Sequence, residues 1–85
     1  MRFLLCGGRL KVVIVELGDG YWEIFAFVEN GVYDADKILE DEGFVLLMTE
    51  DKRSKVMSKV VNGNVLDYVS QVSVKVSREM SKWSR

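Results

Sequence analysis

Residues 9–29 read RLKVVIVELGDGYWEIFAFVE, and the fold turns on how this stretch divides. Gly18-Asp19-Gly20 supplies residues that tolerate positive φ, which a tight hairpin requires. The flanking runs are rich in β-branched and aromatic residues, the composition of paired strands. Residues 9–17 and 21–29 are therefore predicted to form an antiparallel hairpin. Its two faces do not sort into wet and dry. Trp22, Ile24, Ala26 and Val28 alternate with Tyr21, Glu23, Phe25, Phe27 and Glu29. Likewise Val13, Val15 and Leu17 alternate with Leu10, Val12 and Ile14. A sheet with one solvated face alternates cleanly between apolar and polar residues. These strands expect cover on both sides.

Outward from this hairpin, further turn signals recur at Gly7-Gly8, Asn30-Gly31 and Asp41-Glu42-Gly43. They delimit strands at residues 2–6 and 44–48 and an ambiguous segment at 32–39. As a strand, 32–39 completes a five-strand meander. As a short helix it has Asp34 as N-cap and Gly43 just past its end. The strand is favoured in the first half of that segment, with the helix kept open.

From Thr49 the period changes. Thr49 can cap a helix, with Glu50 and Asp51 in its first turn. Val56, Met57, Val60 and Val61 then recur at helical spacing. Asn62-Gly63 ends that element and Asn64 caps the next. Over 64–84, Val65, Tyr68, Val69, Val72, Val76, Met80 and Trp83 fall on one stripe of a helix, with serines beside it. A strand at 72–76 explains fewer residues. The expected fold class is thus α+β: one domain over residues 1–85, with an antiparallel meander of four or five strands over 1–48. Two C-terminal helices over 49–85 pack on the sheet.

At 48% hydrophobic residues the chain can build a core, and a folded rather than disordered chain is expected. The single cysteine, Cys6, forbids an intrachain disulfide. No stretch is long and apolar enough to span a bilayer, and the run before Cys6 is too short for a signal h-region. The expected location is the cytoplasm, with no integral membrane contact.

Charge is divided along the chain. Net charge is −1, with residues 1–51 at −7 and residues 52–85 at +6. The basic half yields a candidate nucleic-acid surface of Lys52, Arg53, Lys55, Lys59, Lys75, Arg78, Lys82 and Arg85. The aromatic residues Tyr21, Phe25 and Phe27 form a second candidate, a homodimer interface or a platform for stacked bases.

Catalytic chemistry has little to work with. The chain has no histidine, which removes the usual base near neutral pH and the commonest zinc ligand. Cys6 lacks a group to activate it. The acid pairs Asp34/Asp36 and Asp41/Glu42 lack calcium-loop spacing, and the glycine pairs match no phosphate loop. No catalytic residue, metal site or cofactor is expected. The unit around Asn62-Gly63-Asn64 has helix-turn-helix order, but the next turn carries Asp67 and no arginine.

Gly18-Asp19-Gly20-Tyr21-Trp22-Glu23-Ile24, with Val32-Tyr33 and Phe44-Val45-Leu46-Leu47, resembles the strand core of RelE-type ribonuclease toxins. Membership would imply an RNA-cleaving sheet. The departures are that those toxins carry basic residues where Phe25 and Asp34 stand here, and that their helices precede the strands.

The expected function is a non-enzymatic binding module, homodimeric, meeting DNA or RNA through the basic helical surface. The alternative is a protein-interaction or assembly subunit using the open sheet face or the last helix.

Overall fold

The computed structural model describes residues 2–5, 10–29, 35–51 and 54–83. Its elements run β1 (Arg2–Leu5), β2 (Leu10–Gly18), β3 (Tyr21–Glu29), α1 (Ala35–Asp41), β4 (Val45–Asp51), β5 (Ser54–Asn62) and α2 (Val65–Trp83). The five strands form one sheet in the order β1-β2-β3-β5-β4, every neighbouring pair antiparallel. The α+β class and the two helices on the sheet are as expected.

The central hairpin forms as its glycines dictate. Asp19 and Gly20 have φ of 55° and 82°, the two positive values of a type I′ turn whose twist matches the flanking strands. A bulge between Glu16 and Gly18 precedes the turn. At α1, the helix rather than the strand is realised. It ends in a Schellman motif, where Phe44 N–H donates to Leu39 O at 2.9 Å and Gly43 N–H to Glu40 O at 3.0 Å, with Gly43 at φ 97°. The Asp34 cap lies outside the described residues.

The helix expected over residues 49–61 does not form. The segment holds the end of β4 and nearly all of β5, so the 49–85 half contains strand, strand and one helix. The reason is tertiary. Apolar pairs at 56/57 and 60/61 fit a helix face, and they equally fit a strand covered on both sides. β5 pairs along its full length with β3, from Ser54 opposite Glu29 to Asn62 opposite Tyr21. Its partner on the other side is β4. The expected continuous meander is accordingly broken, because β5 separates β3 from β4.

Both helices lie on the face that carries Leu10, Val12, Ile14, Ile24, Ala26, Val28 and Met57. These residues join Ala35 and Leu39 of α1 and Val65, Val69, Val72 and Val76 of α2 in one buried cluster. Asn64 caps α2, its Oδ1 accepting from Asp67 N–H at 3.1 Å. At 19 residues the helix is about 28 Å long.

Candidate functional site

Two surfaces were legible in the sequence, a basic one and an aromatic one, and the fold treats them differently. Lys55 and Lys59 were expected on a helix. They stand on β5, on the helix-covered face, in register with Val28 and Ile24. Lys55 pairs with Asp36 of α1 at 2.7 Å. Lys59 reaches beneath the helices, where its ammonium donates to the Tyr68 hydroxyl at 2.8 Å and to the Glu42 carbonyl, and lies 4.6 Å from the Tyr68 ring centroid. Lys75 of α2 pairs with the Glu42 carboxylate. Arg78 is exposed on α2, beside a groove whose lining includes Asp41 and Glu79. Lys82 lies in α2, while Lys52, Arg53 and Arg85 lie outside the described residues.

Three of these cations therefore meet partners within the chain's own fold. The hydrogen bond from Lys55 holds the Asp36 carboxyl below its ordinary value of 3.8. That from Lys75 does the same for Glu42, below 4.5. The lysines shift upward in return. A carboxylate depressed in the folded state contributes stability that is complete above its unfolded value and lost as pH falls through the lower folded one. The urea midpoint is thus expected to hold steady between about pH 7 and pH 5 and to fall below about pH 4. In Glu42→Gln the fall is shallower. A midpoint of equal pH dependence in both proteins rules out the Glu42 contribution.

The aromatic surface is different. Tyr21, Phe25 and Phe27 share the sheet face opposite the helices with Val13, Val15 and Val60. Phe25 and Phe27 are half-buried. Tyr21, Val15 and Val60 are 48%, 42% and 51% exposed. On the neighbouring strand β5, Val56 and Ser58 are buried at 5% each, flanked by Phe27 and Phe25 in register. Lys11 lies over the Phe27 ring, 5.4 Å from its centroid, a favourable cation–π placement. The face continues to β4, the sheet edge, through Val45 and Met48, in register with Ser58 and Val56, while Leu46 pairs with Met57 on the helix side; Val45, Leu46, Leu47 and Met48 are all more than half exposed. Two bulges interrupt this strand, between Leu46 and Met48 and between Thr49 and Asp51. Such bulges discourage edge-to-edge pairing. The apolar β4 edge was not singled out from the sequence. The run Phe44–Met48 predicts a strand but not its place at the sheet edge.

No family model, curated protein or solved structure matches this chain. The likeness to RelE-type toxins gains no companion from these comparisons. At the position where those toxins carry a basic residue, Phe25 stands here as an apolar group on the open face.

Among the described residues no group of three His, Cys, Asp or Glu is arranged to hold a metal, and no helix is long and apolar enough to cross a membrane. What the open face offers chemically is apolar area with a few charges set into it, the anatomy of a docking surface.

Proposed function

We propose that this chain is a non-enzymatic binding module that docks protein, and that its working surface is the sheet face opposite the helices. One observation carries the reading: the face built on the half-buried Phe25 and Phe27 also carries Tyr21, Val15 and Val60 at about half exposure, while both helices pack on the other side. A monomeric protein seldom leaves so broad an apolar surface in water without a use for it. The nucleic-acid reading has less behind it. Lys55, Lys59 and Lys75 are engaged with Asp36, Glu42 and Tyr68, and a phosphate would have to compete with those partners. With one cysteine in the chain, no intrachain disulfide is needed for stability, which agrees with work in the cytoplasm.

The test immobilises the wild type and the variant Val15→Glu/Val60→Glu, both substitutions at sites exposed in the monomer. Wild type is expected to retain protein, its own copies or another chain, that the variant does not. Nuclease treatment is expected to change nothing. Retention that nuclease abolishes, or that the variant preserves, overturns the reading.

A further inference from the structure

We propose that the occupant of the open face is a second copy of this chain, stacked face to face about a two-fold axis that crosses the strands at the row of Val13 and Phe25. The proposal rests on the protein-docking reading and names its partner.

The register of the sheet supplies the reason. Across β2 and β3 the open face carries three successive rows: Lys11 opposite Phe27, Val13 opposite Phe25, and Val15 opposite Glu23. The central row is apolar. A cation stands one row to one side of it and an anion one row to the other, on adjacent strands. Successive rows are about 6.7 Å apart along a strand and adjacent strands about 4.8 Å apart. Among the described residues Glu23 has no ion-pair partner in its own chain, and Lys11 has only the Phe27 ring.

A two-fold axis lying in the interface, along the central row, reverses the strand direction of the partner. The partner's Lys11 then comes over the row of Val15 and Glu23, one strand spacing from the Glu23 carboxylate. The same pairing recurs on the other side of the axis, as an isologous interface requires. Lysine and glutamate side chains span the gap between sheets about 10 Å apart. The other in-plane axis, along the strands, leaves each row facing itself. It sets Lys11 in the row of the partner's Lys11, and Glu23 in the row of Glu23. Opposite charge therefore selects the axis that crosses the strands. Arg2, in register with Val13 on the outer strand β1, is exposed at the rim, where water screens its charge.

The area suffices. Three strands of nine residues, with β4 of seven and β1 of four, cover about 600 Å² in flat projection, and more as accessible surface. A standard interface takes about 800 Å² per partner. The half-buried Phe25 and Phe27 sit at its centre, where aromatic anchors contribute most.

Sedimentation of the wild type, Lys11→Glu, Glu23→Lys and an equimolar mixture of the two variants tests this. The wild type is expected to be a dimer. Each single reversal sets like charges together at both symmetric positions and raises the dimer dissociation constant at least about tenfold. In the mixture each heterodimer has one native and one swapped pair, so dimerisation returns. That rescue in trans requires that the two residues meet across copies. Single reversals without effect, or a mixture that stays monomeric, overturn the axis. A monomeric wild type that still retains a different protein through Val15 and Val60 overturns the second copy as occupant and leaves the docking reading intact. Dimers that survive Val15→Glu/Val60→Glu but are lost in Leu47→Lys place the contact on the β4 edge, overturning the proposal and the use of the face together.

Discussion

Val76→Asp is expected to abolish the cooperative fold, while Val74→Asp, two residues away, leaves it intact. Val76 is 0% exposed and Val74 is 49% exposed. In a helix the two side chains are about 200° apart, so one lies against the sheet and the other in water. A carboxylate at position 76 would sit among Leu39, Val72 and the sheet residues of the core cluster. With no cation in the core cluster among the described residues, the site costs several kcal/mol. A domain of this size has roughly 5–15 kcal/mol in all. Losses of that order leave little of the native state populated at 25 °C. Val74→Asp should change the unfolding free energy by no more than about 0.5 kcal/mol. The pair also decides between two readings of VSVKV at 72–76. As a strand, Val72, Val74 and Val76 share a face and both substitutions are damaging. Circular dichroism and urea titration of the two variants distinguish them, and comparable damage at both positions rules out α2 as described.

Why the last helix was legible and the element before it was not is a matter of range. α2 carries five or more turns of consistent apolar spacing, and its cap, Asn64, is local. So are the Asp19-Gly20 turn and the Gly43 helix end, each specified by a few adjacent residues. β5 is specified by its neighbours. Lys55, Met57, Lys59 and Val61 face the helices, while Val56, Ser58 and Val60 face outward. Central strands lose the alternation that marks a half-buried strand, and the resulting pattern overlaps that of a helix. Glu50 and Asp51, which read as first-turn acids, end β4 instead. The candidate site shared this fate. Tyr21, Phe25 and Phe27 share one sheet face because the hairpin register that sets it is local. Of the basic set, Lys55 and Lys59 read as helical in the sequence, whereas both stand on β5. Its acidic partners, Asp36 and Glu42, belong to an element whose placement against β5 no local pattern conveys.

Lys59 shows the consequence in one residue, and Lys59→Glu is expected to destabilise the fold by about 3 kcal/mol. On the expected helix it would have been a solvated cation, free for phosphate, and its reversal nearly neutral. On β5 its aliphatic stem runs beneath the C-terminal end of α1, its nearest carbons 3.4 Å or more from the Cβ position of Gly43. Its ammonium satisfies the Glu42 carbonyl, one of the groups left over at the helix end, and the Tyr68 hydroxyl. A carboxylate there cannot donate to the carbonyl. It also faces the Glu42 side chain, which accepts from Tyr68 Oη at 3.3 Å. Lost donors and like charge act together at a part-buried site, where breaking one half of an ionic contact is expensive. Lys55→Glu is the control. Its ion pair with Asp36 is exposed, and its reversal should cost no more than an ordinary surface pair, far less than Lys59→Glu. Lys59→Met keeps the stem and removes the charge, and should recover much of the stability lost in Lys59→Glu. Neither Lys59 nor Lys55 lies on the open face, so the association of the folded fraction should be unchanged in all three variants. Urea midpoints at neutral pH provide the measurement. If Lys59→Glu is as mild as Lys55→Glu, the lysine is not held beneath the helices, and its place in a solvent-facing basic surface is restored.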